Sequence, residues 1–136
     1  MRLFDTTLTQ VERSLDVRLS RQGVLAGNVA NADTPGFKPK DVDFLAAMSQ
    51  VMRESQSLTR TNPLHVDASG QLGADAAPVD SYVKEVSGGT PSFDGNEVDL
   101  DTTMSSMAEN AIQYGANARA ATAKLAILKY VVSEGS

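Results

Sequence analysis

Apolar residues recur through the first thirty positions in steps of four and three. Phe4, Leu8, Val11, Leu15, Leu25 and Val29 fall on one face of a helix, and Arg18 and Gln22 fill the two remaining places in that frame. This is the stripe of an amphipathic helix with two polar interruptions. The last part of the chain repeats the pattern without interruption. Leu100, Met104, Met107, Ala111, Tyr114, Ala118, Ala121, Leu125, Leu128 and Val132 alternate by four and three, and every one is apolar. Such a run predicts a long helix with a coiled-coil seam. Asp99 and Asp101 stand where an N-cap and a first-turn acid favour a helix start. Ser133-Glu-Gly-Ser at the end of the chain reads as a helix stop.

The segment between the helices lacks this order. Asp43 is placed to cap a short helix with Phe44, Met48, Val51 and Met52 on one face. After residue 55, turn signals crowd together: Asn62-Pro63, Ser69-Gly70, Gly88-Gly89-Thr90-Pro91 and Asp94-Gly95-Asn96. Ser81 to Val86 reads as a short strand. Ser92 to Val98 is expected to turn back beside it, with the bend at Asp94-Gly95. Residues 67–80, DASGQLGADAAPVD, read as mobile. The resulting architecture is mainly α. An N-terminal coiled-coil helix (1–33) pairs with a C-terminal one (98–136). A turn, a short helix and an irregular, partly β middle segment (34–97) connect them in one structural unit.

Composition sharpens this picture. Aromatic residues make up 5% of the 136 residues and Trp is absent. The apolar content is mostly Ala, Val, Leu and Met, which suits thin helix-on-helix contacts better than a thick core. Alanines in a seam bury little area, and at about 25 cal/mol per Å2 each terminal helix gains little alone. Each therefore needs a partner: the other terminus, other copies of the chain, or both. An isolated monomer is expected to have partly disordered ends.

The net charge of −5 and pI near 4.7 argue against a nucleic-acid partner. Charges alternate in sign through Arg2, Asp5, Glu12, Arg13, Asp16, Arg18 and Arg21, so no like-charge block points to a membrane surface. No stretch approaches the roughly 20 apolar residues of a membrane span, so no direct membrane insertion is expected. The N-terminus MRLFDTTLTQVERS has no continuous apolar core of a cleaved signal peptide. Cysteine is absent, which excludes disulfides and thiol chemistry.

Candidate chemistry is sparse. His65 is the only histidine and has no clustered acids around it, so a loop-packing role outweighs a catalytic or metal one. Asp99 and Asp101 read as helix-start acids rather than a carboxylate pair. No Gly-x-Ser-x-Gly elbow or phosphate-binding Gly-x-x-x-x-Gly-Lys occurs. Met104 and Met107 read as seam packing rather than soft-metal ligands. No cofactor, metal or small-molecule substrate is expected.

The most specified segment is NVANADTPGFKPKDVDF, residues 28–44. Thr34-Pro35-Gly36-Phe37 suits a type II turn, with Pro fixing φ at the second position and Gly accepting positive φ at the third. Pro35 disfavours a helical Thr34, so the first helix must end earlier. Asn28 and Asn31 are placed to bond exposed carbonyls at that helix end. The turn would present Phe37 and Lys38 outward.

This run, Asn28-Val-Ala-Asn31-Ala-Asp-Thr-Pro-Gly-Phe-Lys38, resembles the N-terminal signature of bacterial flagellar rod and hook proteins. Lys40-Asp-Val-Asp-Phe44 resembles the proximal-rod type in particular. So do Asp94-Gly-Asn-Glu-Val-Asp-Leu-Asp101, Met104, Met107-Ala-Glu-Asn110 and Gln113-Tyr114. The likeness covers most of the chain outside residues 55–90. In the family pattern the turn aromatic is often Tyr; here Phe37 keeps its packing role and lacks the hydroxyl. The resemblance implies a structural subunit whose terminal helices pair and pack with copies of itself and other flagellar rod proteins. Its location would be the periplasmic rod of the flagellar basal body. Adaptor, membrane-ring and export-gate proteins at the rod base would be its neighbours. It also implies export through the flagellar type III channel without a cleaved signal. An alternative is a coiled-coil adaptor or secretion chaperone binding a partner helix, which accounts for the heptads but not for the Asn/Thr-Pro-Gly turn. A small enzyme is the weakest reading.

Overall fold

The computed structural model describes residues 6–49, 78–87, 89 and 91–134. Phe4, Val51, Met52, His65 and residues 67–77 lie outside the described residues. The chain is mainly helical. Helix α1 spans Thr6–Ala30, strand β1 Lys40–Val42, and a short helix, α2, is described over 44–49. A 3-10 turn at Val79–Tyr82 leads into β2, Val83–Glu85, and α3 runs from Leu100–Glu134.

The helix starts follow from local chemistry. Asp43 caps α2, with Ala46 N donating to Asp43 Oδ1 at 2.9 Å. Asp99 caps α3, accepting from Thr102 N at 3.0 Å and Thr102 Oγ1 at 2.9 Å. Each carboxylate satisfies a first-turn N–H that has no partner within its helix. Asp101 adds an acid to the first turn of α3, on the favourable side of the helix dipole.

The two strands form an antiparallel ribbon with Lys40 opposite Glu85, Asp41 opposite Lys84 and Val42 opposite Val83. Bonds from Val86 N to Pro39 O and from Asp43 N to Tyr82 O, each 2.9 Å, extend it at both ends. Here the sequence reading needs correction. The segment after Ser81 begins as 3-10 and becomes extended only at Val83. Its partner is Lys40–Val42, not Ser92–Val98. Residues 92–96 form a closed turn instead, with Gly95 N on Ser92 O (2.9 Å) and Ser92 N on Asn96 O (2.8 Å). The bend does lie at Asp94-Gly95, where Gly95 has φ of +79°.

The core is small and lies where α1 meets the ribbon and α2. Val17, Val42 and Ala47 are buried there, with Val24, Phe44, Val79, Tyr82 and Val83 packed around them. Arg21 closes one side with a two-pronged ion pair to Asp41, at 2.7 and 2.8 Å. On its other flank α1 packs along α3. The cross-helix partners Ser14–Asn117, Arg18–Gln113 and Gln22–Asn110 run in opposite chain directions, so the two long helices are antiparallel.

Candidate assembly site

The end of α1 and the start of α3 are tied by two interlocked turns. Phe37 N donates to Thr34 O at 3.2 Å and Gly36 has φ of +69°, the pattern a type II turn requires. The Ser92–Asn96 turn backs directly onto it. Gly36 N donates to Asp94 O at 3.0 Å and Glu97 N to Phe37 O at 3.1 Å. A side chain at Gly95 would come within 3.6 Å of the Gly36 Cα. Both turns need a residue with positive φ, and both use glycine.

Three asparagines hold this junction. Asn31 Nδ2 donates to Gly27 O at 2.8 Å, satisfying a carbonyl at the α1 end as its position in the sequence suggests. Asn28 does something else. Buried to 3% exposure, it accepts from Lys40 N at 2.9 Å and donates to Lys40 O at 2.7 Å. Its amide thus acts as a one-residue strand beside β1 instead of capping helix carbonyls. The sequence reading missed the third, Asn96, which is 4% exposed. Asn96 Nδ2 lies within bonding distance of three carbonyls, Asn31 O (3.0 Å), Ala32 O (2.9 Å) and Thr34 O (2.7 Å). Its Oδ1 accepts from Val98 N at 2.7 Å. One side chain thereby joins the C-terminus of α1 to the approach of α3. Phe37 is half-buried against this junction rather than presented outward; Thr34, Pro35, Gly36 and Lys38 are exposed.

The contact between the long helices uses only part of the apolar stripe. On α1, Leu8, Val11, Leu15 and Val29 are half-buried and Leu25 is buried. On α3, Met107, Ala118, Ala121 and Leu128 are half-buried. The remaining positions of the ten-residue stripe are exposed: Leu100, Met104, Ala111, Tyr114, Leu125 and Val132. The most buried residues of α3 are Thr103 and Asn110; Asn110, Gln113 and Asn117 bond to α1, and Lys124 is half-buried. Thr103, Asn110, Asn117 and Lys124 are spaced by seven, one residue ahead of the apolar places at Met104, Ala111, Ala118 and Leu125. The physical reason lies in Arg18 and Gln22, the polar places in the α1 frame. Packed on an all-apolar stripe they would lose their hydrogen bonds, so α3 is turned to present amides.

These bonds form a ladder. Asn117 Nδ2 donates to Ser14 Oγ at 2.7 Å. Arg18 Nη1 donates to Gln113 Oε1, and Arg18 also lies over the Phe44 ring, 4.4 Å from its centre. Asn110 Nδ2 donates to Arg18 O and to Gln22 Oε1, each at 2.9 Å. Gln113 is steadied by Glu109, 2.9 Å away. Sequence reading recorded Arg18 and Gln22 as interruptions. The seven-residue recurrence of polar residues in α3 was the signal that would have paired them.

Among the described residues, no group of three or more His, Asp or Glu is placed to hold a metal. No helix among them is long and apolar enough to cross a membrane. What the arrangement offers is surface. The apolar face of α3 that α1 leaves uncovered runs from Leu100 through Met104 and Ala111 to Leu125 and Val132. On the outside of α1, Leu19 is 62% exposed.

Comparison with known proteins places this architecture. A family profile described as flagella basal body rod protein matches residues 15–38, the second half of α1 and the Thr34–Phe37 turn. The flagellar basal body rod protein FlgB of Escherichia coli (strain K12) is 32% identical over 133 residues, 97% of this chain and 96% of that protein. The FlgB of Bacillus subtilis (strain 168) is 33% identical over 137 residues, 99% of each chain. That of Salmonella typhimurium is 35% identical over 112 residues, 81% of this chain and 80% of its own. The chain belongs to the FlgB family of flagellar basal body rod proteins. Membership of the FlgB family makes it a structural protein of the flagellar basal-body rod.

Proposed function

We propose that this chain is a subunit of the proximal rod, the part of the drive shaft nearest the membrane ring and export gate. Copies pack helically through their terminal helices, against one another and against other rod proteins, adaptor and ring components. The subunit reaches this place through the flagellar type III export channel, unfolded and without a cleaved signal. The 1–33, 34–97 and 98–136 segments act as one unit, with the terminal helices as its assembly elements.

The observation that carries this reading is the uncovered apolar face of α3. A solvated helix does not keep Met104, Leu125 and Val132 each more than half exposed without an apolar partner to receive them. The thin core agrees: a subunit that draws part of its stability from neighbours needs little of its own.

Deletion of the gene, followed by imaging of purified basal bodies, tests the proposal. Rods and motility should be lost. The intact chain should restore both, and a chain lacking residues 100–136 should restore neither. Complete rods and motile cells after deletion would refute the assignment. A finer probe is Ala111→Asp, on the uncovered face. It should leave the monomer's stability within about 0.5 kcal/mol, as surface substitutions do. In the rod it would bury an unpaired charge at several kcal/mol and should abolish complementation.

A further inference from the structure

Helix α3 offers two faces at heptad spacing. One is apolar throughout, from Leu100 to Val132. The other carries Thr103, Asn110, Asn117 and Lys124. By hydrophobic burial alone α1 should settle on the first, because burying more apolar area is worth more. It sits toward the second, so that Met107, Ala118, Ala121 and Leu128 of the first are half-buried and Leu100, Met104, Ala111, Leu125 and Val132 stay exposed. The match there is incomplete: Arg18 Nε and Asn110 Oδ1 are buried without a partner. Such a contact is built for selectivity at some expense of strength, as a single buried asparagine does in coiled coils.

We infer that the ladder of Ser14, Arg18 and Gln22 against Asn117, Gln113 and Asn110 is a face selector. It holds α1 on the polar-bearing flank of α3 and so keeps Leu100, Met104, Ala111, Leu125 and Val132 open for a helix of a second copy of this chain. Turning α3 by one residue at the same register would place Gln22 against Ala111 and Ser14 against Ala118, which cannot accept or donate a side-chain bond, and would leave Arg18 beside Tyr114 in place of Gln113. The tied turns around Asn96 fix the junction of the helices. The ladder acts beyond them, from Asn110 to Asn117. That the open flank serves assembly rests on the rod-subunit reading; the selection itself does not.

The chain has no cysteine, so paired cysteines report the face cleanly. By the register of the ladder residue 8 lies opposite 124, so Leu8→Cys with Lys124→Cys reads the observed face, and Leu8→Cys with Leu125→Cys reads the apolar one. In an otherwise unchanged monomer, oxidation should link 8 to 124 at least tenfold faster than 8 to 125. In the Arg18→Leu/Gln22→Leu background the preference should fall at least tenfold or reverse, while far-ultraviolet circular dichroism keeps its helical signal. Arg18→Gln, which can still bond across the seam, should retain the original preference. An unchanged preference in the double-leucine background would overturn the selector. Loss of the helical signal there would also overturn it, because the apolar flank should then receive the leucines. The assay uses monomer alone, so its failure is distinct from a failure of rod assembly.

Discussion

The α1–α3 pair has two unlike ends. At the junction end, two glycine turns interlock and Asn96 spans three carbonyls. Asn28 fills a gap beside β1, and the pair lies next to the Val17/Val42/Ala47 core. Toward the other end the helices touch through Ser14–Asn117 and half-buried alanines, and Leu125, Ile127, Tyr130, Val131 and Val132 are all more than half exposed. The first end is complete within one chain. The second has apolar surface left over. The contrast assigns different work to similar-looking helices: one end sets the angle between α1 and α3, and the other supplies surface to a neighbour.

Removing Asn96 should break the contrast most sharply. Asn96→Ala strips the bonds to Asn31 O, Ala32 O and Thr34 O and leaves Val98 N without its acceptor. At about 1 kcal/mol for each bond, and more for buried groups left unpaired, the loss should be about 3 kcal/mol. Denaturant unfolding of the purified monomer measures it. A loss below about 1 kcal/mol would mean the junction is held by the turns alone.

Next in size is a comparison of the two contacts of α1. Val17→Ala opens a small cavity in the fully buried apolar core and should cost about 2 kcal/mol. Asn117→Ala, at the ladder's outermost rung, should cost about 1 kcal/mol, since Ser14 loses one neutral partner. If Asn117→Ala cost as much as Val17→Ala, the outer half of the helix pair would be as firmly built as the core. Hydrogen exchange gives the same comparison without mutation. Amides near Val17 and Leu25 should be protected longest, and those beyond Leu125 least.

Gly36→Val tests the turn. Forcing a branched residue to φ near +69° should cost about 1–3 kcal/mol, and an added Cβ meets no other atom within 4 Å. Thermal melting reads the shift. An unchanged melting temperature would show that the turn relaxes freely to negative φ.

These same residues show what the sequence could reveal. The caps at Asp43 and Asp99, the positive φ at Gly36 and the bend at Asp94-Gly95 depend on neighbours within four positions, so their residue types announced them. The pairing of Lys40–Val42 with Val83–Glu85 depends on residues more than 40 positions apart. Strands of three residues are too short to carry a period. The role of Asn96 depends on carbonyls more than 60 positions away. The side of α3 that meets α1 was not legible for a different reason. Apolar periodicity finds the strongest stripe, whereas the actual contact was decided by where Arg18 and Gln22 could find amides. The family signature was legible because its turn is so specified, and its physical content proved to be the interlocked junction.

The smallest effect concerns acid. Hydrogen bonds from Thr102 N and Oγ1 hold Asp99 below its ordinary value of 3.8. The Lys84 ammonium, 2.7 Å away, and Ala46 N do the same for Asp43. A carboxylate depressed in the folded state stabilises above its unfolded pKa and loses that contribution as pH falls through the folded one. Both groups stand near the junction end, at the starts of α3 and α2. Stability should therefore begin to fall as pH drops below about 3.8, with the first turns of these helices opening before the core. Asp99→Asn, which keeps an acceptor for the Thr102 amide, should flatten the pH dependence at the α3 start while leaving that of α2 in place. Hydrogen exchange at Thr102 and Ala46, followed from pH 5 to 2 after correction for the intrinsic rate, separates the two. Equal acid sensitivity at Thr102 in both proteins would assign the effect to some other carboxylate.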